Sequence, residues 1–341
     1  MQKVGLGLIG AGAIGRVHAA NIFSRIENAE LVAIADVDQT AAKKLSSQSG
    51  NPKTYSDYGD LIADKGVNAV VACTPPFLKL DIVRRAAAAG KDVFCEKPIA
   101  VTLEEADEMV KVVEGSKTVF QVGYQRRFDP SYIRVRDAVA SGQLGRLLLV
   151  REHNRDPPSP ITGWSVNPKK SGGMFLDTTS HDFDAIRWLS GSEVTRVYAE
   201  ADALVYDELR KNGDFDTTTV VMKLENGALA YVDSVYHTVY GFDARVEILG
   251  TEAAATVDMG ETSYAHVLSS AGRSNESFDG YASRWSQAYR DEMADFAECV
   301  ATKRSPRAGV RDGRAALEIG LAARESIEQK RAITLPRQAV P

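Results

Sequence analysis

Short apolar runs at residues 4–9, 31–35, 69–73, 93–95 and 118–122 punctuate the first 120 residues of the chain. None of them alternates with polar positions, as a strand with one wet face would. Stretches of helical spacing fill the gaps, among them residues 82–89 and 103–113. The second opens on Thr102 and Glu105, a capping box in which each side chain satisfies an amide at the helix start. Continuous apolar strands separated by helices predict a parallel sheet covered on both faces, a doubly wound α/β unit.

The texture changes after Gly123. Residues 130–141 read as a helix, 146–153 as a strand, 157–173 as a Pro/Gly/Ser-rich loop and 177–189 as a helix. Strand-like patterns then run through 217–224, 228–235, 244–249 and 253–257. Asn226-Gly227 separates the first two, and Asn-Gly is the strongest short hairpin signal. Two helical patterns close the chain, 284–302 with Trp285, Tyr289, Met293, Phe296 and Val300 on one stripe, and 312–329. The fold class expected is therefore a Rossmann-type parallel sheet over residues 1–122, followed over 123–341 by an α+β domain on a large, mostly antiparallel sheet.

Composition narrows the function classes more than the fold. Of 341 residues, 44% are hydrophobic and 26% charged, enough to bury large cores without a disulfide or structural metal. The formal net charge of −5 supplies no broad positive field, so nucleic acid is not an expected partner. No run approaches 18 apolar residues, so no membrane span is expected, and the short run at 4–10 reads as part of a motif rather than a leader. Cys73, Cys95 and Cys299 show no CxxC spacing and read as core residues of a reduced, cytoplasmic protein.

Gly10-Ala11-Gly12-Ala13-Ile14-Gly15 follows the first strand and opens a helix, and Asp36 ends the next strand 21 residues after Gly15. That is the context a dinucleotide site requires. Gly10 permits the tight turn, Gly12 admits the pyrophosphate, Gly15 lets helix pack on strand, and the helix N-terminus presents free amides to the phosphates. Asp36 would accept the ribose hydroxyls and repel a 2′-phosphate. With Val37 beside it and no arginine, NAD is expected rather than NADP. The alternative is a structural glycine turn without a ligand.

Glu96-Lys97-Pro98 sits at a strand's carboxyl end, where open parallel sheets hold ligands. A partly desolvated lysine there can bond a substrate hydroxyl and assist its proton transfer, though a surface lysine in a turn is the equal alternative from position alone. On a continuous helix, Asp177 and His181 would share one face at i, i+4, and a carboxylate beside an imidazole suits acid–base work near neutral pH. The structural alternative makes Asp177 a helix cap and His181 a core residue. A metal at Asp177, His181, Asp182 and Asp184 fits no ligand spacing, so none is expected.

The segments GLIGAGAIGRVHAANI, CEKPIA, VGYQRRFDPSY and SGGMFLDTTSHDFDAIRWL, with the Asp36 strand, resemble the Gfo/Idh/MocA oxidoreductase family from about Lys3 to about Val257. Within it RRFDPSY, NRDPP, GGMFLDxxxHDFD and YGFDARVEILG are most similar to inositol 2-dehydrogenases. The resemblance implies NAD-dependent oxidation of a ring hydroxyl of a cyclitol such as myo- or scyllo-inositol, with substrate between the domains and a homodimer or homotetramer formed through the C-terminal sheet. It implies that Lys97 binds the reacting hydroxyl and that His181 accepts its proton, oriented by Asp177. Thr74 and Pro75 match a loop beside the nicotinamide half of the cofactor, with Glu96 and Lys97 at the same cofactor-binding edge, and Gln125 and Arg126 match positions near nicotinamide and substrate. Asn154, Arg155, Asp156 and Tyr240 match substrate contacts. A pyranose dehydrogenase or reductase and an NAD-using glycoside-processing enzyme are alternatives within the family, and a non-catalytic NAD or sugar sensor is a remote one. Lys79 stands where many members have histidine, and Phe242 replaces a tyrosine of the inositol enzymes; each change bears on which polyol is selected.

Overall fold

The computed structural model describes residues 3–260, 262, 267–270, 272–274 and 276–336. The chain divides into two compact units: Met1–Phe128 with Lys170–Gly172 and Gln287–Leu317, and Asp129–Lys169 with Gly173–Ser286 and Glu318–Pro341. Residues 287–317, placed by the sequence reading in the second domain, thus belong spatially to the first.

The first unit is built on β1 (Val4–Ile9), β2 (Ala29–Ala35), β3 (Lys53–Tyr55), β4 (Ala69–Ala72), β5 (Asp92–Glu96) and β6 (Phe120–Gly123), all parallel, in the order β3-β2-β1-β4-β5-β6. Every residue of β1, β4, β5 and β6 is buried, which is why their sequences run apolar without alternating. The strand order reverses between β1 and β4, and the crevice at the carboxyl ends there is where such sheets take ligands. Helix Ser286–Thr302 supplies the last part of this core: Phe296 meets Phe94 with ring centroids 5.7 Å apart, and Met293, Ala297 and Val300 join the same cluster. The expected stripe on this helix is therefore divided. Trp285 lies before it, in the second unit, against Tyr132 at 5.6 Å.

The second unit holds a seven-stranded sheet formed by β7 (Leu147–Arg155), β8 (Val194–Asp202), β9 (Thr217–Leu224), β10 (Leu229–Val235), β11 (Asp243–Gly250), β12 (Ala254–Val257) and, after a separate hairpin of β13 (Val267–Ser269) and β14 (Gly272–Ser274), β15 (Ile333–Thr334). Its order is β12-β11-β7-β10-β9-β8-β15, antiparallel throughout except between β7 and β10. The Asn226-Gly227 turn forms as expected, with Gly227 at φ 90° and Asn226 Oδ1 accepting from the Ala228 amide at 3.0 Å. Helices Pro130–Ala140 and Ser180–Ser190 cover one face. The other face is open, and Tyr198, Val221, Tyr231, Arg151 and Glu247 form one row across it.

The expected continuous helix over 177–189 is broken. Helix Gly173–Asp177 ends, Thr178 and Thr179 turn, and helix Ser180–Ser190 begins. The amides of Thr178 and Thr179 both donate to Met174 O, and the His181 amide donates to Thr178 O at 3.3 Å. Thr179 drives the break: its hydroxyl bonds Met174 O at 3.3 Å and Ser234 Oγ at 3.1 Å, offering the backbone an alternative to the helical ladder. Asp177 and His181 therefore stand on either side of a turn rather than at i, i+4 of one uninterrupted helix. Among the described residues no helix is long and apolar enough to cross a membrane.

Candidate active site

In the first unit, β1 runs into the glycine turn and helix Ala13–Arg25. Gly10 has φ 103°, and a Cβ there would lie 2.6 Å from Cys73 O; one on Gly15 would lie 2.0 Å from Gly10 O. A Cβ on Gly12 would meet nothing within 4 Å, so the space in front of the helix N-terminus is left open. The first-turn amides of Ala13 and Ile14 have no acceptor within a helix and face that end. Asp36 is fixed beside them: Oδ2 accepts from the Ala11 amide at 2.7 Å and Oδ1 from the Asp38 amide at 2.8 Å. Val37 next to it is 92% exposed, a free apolar surface at the expected adenosine position.

Two buried polar atoms at the same carboxyl edge have no hydrogen-bond partner among the described residues, Thr74 Oγ1 after β4 and Gln125 Oε1 after β6. Pro75 follows Thr74 as the cap of helix Pro76–Ala88. An open phosphate cradle, a carboxylate at the ribose position and unsatisfied polar atoms beyond the switch point fit a dinucleotide.

Glu96 ends β5, and its carboxylate is held from two sides: Oε1 pairs with His18 Nε2 at 2.7 Å, and Oε2 accepts from the Lys97 amide at 3.2 Å. A Cβ on Gly123 would come within 2.9 Å of that carboxylate, so β6 needs glycine there. Lys97 follows, half-buried at the end of the strand. Gln125 and Arg126 are buried in the 3-10 turn Gln125–Phe128.

In the second unit the break in the helix builds a polar cluster. Asn154 on β7 reaches the turn, its Nδ2 donating to Asp182 Oδ2 at 2.9 Å and to Thr178 O at 3.4 Å. Asp182 is wholly buried, so this bond anchors the start of the helix that carries His181. Asp177, Thr178 and His181 are half-exposed in front of it. Tyr236, just past β10, joins them through Tyr236 Oη and Thr178 Oγ1 at 2.8 Å. Burial pushes the Tyr236 phenol well above its usual range, and the Asp177 carboxylate adds to the rise, so it stays a neutral donor at all working pH. Asp156 stands nearby, its amide on Val235 O and its carbonyl accepting from Thr238.

Not every residue expected at the site is found there. Arg155 follows Asn154 on β7 and so points to the opposite face of the sheet. Its Nε bonds Asp233 Oδ2 at 2.6 Å, and its Nη1 reaches the Tyr240 hydroxyl, which donates to Asp243 Oδ2 at 3.0 Å. His153 and Arg245 complete this ionic network on the open face. The structure thus brings Asn154, Asp156, Asp177 and His181 together and draws Arg155 and Tyr240 away from them. Sequence reasoning missed Tyr236. Tyr236 lies four residues before Tyr240, and only the length of β10 tells which tyrosine faces the helices. Among the described residues no group of three or more His, Cys, Asp or Glu is placed to hold a metal ion.

The sequence and the fold both have close relatives. The oxidoreductase family model GFO_IDH_MocA, with an NAD-binding Rossmann fold, matches residues 4–124, and the GFO/IDH/MocA C-terminal domain matches residues 132–256. A myo-inositol 2-dehydrogenase of Thermotoga maritima is 34% identical, over 97% of this chain and 98% of that protein. A scyllo-inositol 2-dehydrogenase (NAD(+)) of Bacillus subtilis is 30% identical, over 95% of this chain and 94% of the other. The crystal structure of scyllo-inositol dehydrogenase from Lactobacillus casei, with bound NAD(H) and scyllo-inositol, matches with a TM-score of 0.93 at 27% identity, covering 98% of this chain and all of that one. With both family domains matched in order and relatives aligned over nearly its whole length, this chain belongs to the Gfo/Idh/MocA family of NAD-dependent oxidoreductases.

Proposed function

We propose that this chain oxidises one ring hydroxyl of an inositol to the ketone. The observation that carries the reading is that one chain holds both a dinucleotide frame, Gly10 to Gly15 with Asp36, and a half-exposed Asp177–Thr178–His181–Tyr236 cluster, and is similar over nearly its full length to enzymes named for that reaction. NAD, when bound, supplies the acceptor for the hydride that leaves the ring carbon. The chain's own part is to align the substrate and remove a proton. Lys97 bonds the reacting hydroxyl and steadies the developing alkoxide, and His181 accepts the proton. Asp177 orients the imidazole, while Thr178 and Tyr236 offer neutral hydroxyls to the remaining ring oxygens. Asn154 and Asp182 hold the turn on which all of these sit.

Absorbance at 340 nm tests the reading, with NAD or NADP against myo-inositol, scyllo-inositol, glucose, xylose and galactose. NADH formed from an inositol, with NAD preferred to NADP, is the expected result. Turnover of pyranoses alone would move the substrate class, and preference for NADP would remove the role given to Asp36.

The open face of the second sheet carries the assembly in this reading. Tyr198, Val221 and Leu229 are exposed on it among the charges of Arg151 and Glu247, which supports a homodimer or homotetramer through that face. Sedimentation velocity finding only the 37.0 kDa monomer would exclude it. The three cysteines carry no disulfide, in keeping with a cytoplasmic enzyme.

A further inference from the structure

Helix Pro76–Ala88 packs a lysine, not an apolar residue, against the end of the parallel sheet. Lys79 is 1% exposed, among the largest fully buried side chains of the protein. Its Nζ lies 2.6 Å from Glu96 O, 3.1 Å from Lys97 O and 2.9 Å from Pro98 O. Three acceptors at these distances use three N–H donors, which only the ammonium form provides. A buried ammonium is costly, and here it is spent on three consecutive carbonyls of a single turn. That turn is the one that carries Lys97.

From this geometry we infer that Lys79 is a positioning residue for Lys97: its ammonium gathers the carbonyls of Glu96, Lys97 and Pro98 and so fixes where the Lys97 side chain leaves the backbone. The opposite side of the turn is held by Glu96 on His18 and on the Lys97 amide, so the turn is clamped from both sides. A neutral side chain at position 79 would leave three carbonyls without their donor and let the turn move. A misplacement of about 1 Å at a reacting group costs on the order of a hundred-fold in rate.

Cys73, Cys95, Glu96 and Lys97 are the titratable groups that face Lys79. Burial lowers the Lys79 pKa, and the neighbouring Lys97 charge lowers it further, while Cys95, Glu96 and Cys73 raise it.

The role of Lys97 rests on the reaction proposed above, whereas the clamping of the turn does not, and the test separates the two. Lys79→Met, Lys79→Gln and Lys79→Arg are compared with Lys97→Ala by kcat and KM with an inositol, by NAD binding, and by hydrogen exchange of the amides of Lys97 and of residues 99–101. Lys79→Met is expected to lower kcat by about ten- to a hundred-fold with NAD affinity within about three-fold, and to speed exchange at the turn. Lys79→Arg, which keeps charge and donors, is expected to recover part of kcat. Combined with Lys97→Ala, Lys79→Met is expected to cost little more, because the brace acts through the residue already lost. If Lys79→Met fails to fold, Lys79→Gln decides by the same readouts. Unchanged kcat and exchange in a folded neutral variant would overturn the inference. Faster exchange at the turn in a protein that turns over no inositol would support the clamp and remove the inositol reading instead.

Discussion

His181→Ala is expected to lower kcat for inositol oxidation by about 10²–10⁴-fold, the span that a positioned general base contributes, while leaving NAD affinity within about three-fold. The reaction releases a proton with the hydride, and imidazole is the side chain whose ordinary pKa suits it to take that proton near neutrality. Its placement supports the role. His181 sits in the first turn of helix Ser180–Ser190, half-exposed, and the start of that helix is tied to β7 by the Asn154–Asp182 bond at 2.9 Å. The NAD frame involves none of these residues, so cofactor binding is the internal control. Steady-state kinetics with a fluorescence titration of NADH separates the two quantities. A variant with near-wild-type kcat would mean that another group accepts the proton.

Lys97→Ala is expected to cost a comparable factor, about 10²–10³-fold in kcat, again with NAD still bound. The two losses should not multiply: both groups serve one proton transfer, and residues that act as a unit are strongly non-additive. Lys97→Arg is not a conservative change here. A planar guanidinium spreads its charge over a rigid fork, where the lysine ammonium sets a compact point charge on the developing alkoxide. It should therefore restore little of the rate. Lys97 is half-buried at the end of β5, and its backbone is held by Glu96 and Lys79 whatever the side chain, so the melting temperature of Lys97→Ala should move by only a few degrees. A folded Lys97→Ala enzyme with unchanged kcat would remove the lysine from the mechanism.

How much of this was legible in the sequence depended on whether the signal was local. Strands β1 and β9 begin and end where their apolar patterns do, because each pattern is the burial of that strand alone. The glycine turn was legible for the same reason: a positive φ at Gly10 and the close approach at Gly15 are demands met by residues adjacent in the chain. β8 shows little strand signal because two of its inward positions, Ala199 and Ala201, are alanine and a register shift near Thr195 interrupts its alternation, so its amplitude is low. The break at Thr178–Thr179 was hidden because the competing partner, Ser234, lies 55 residues away. The face on which Arg155 falls follows from the phase of β7, which a motif match does not reveal, and so it was expected beside Asn154 when the pleat puts it opposite. Lys79 gave only a departure from a family pattern; that its ammonium meets three carbonyls from the next strand's end is a tertiary fact.

The central claim is that the ring carbon of an inositol gives up its hydride directly. The most direct measurement is a single turnover with an inositol carrying deuterium on every ring carbon in unlabelled water. The account predicts one deuterium in the NADH formed, with a ketone as the co-product and a primary isotope effect on any turnover limited by chemistry. NADH free of deuterium, or turnover that exchanges label without releasing net NADH, would contradict it.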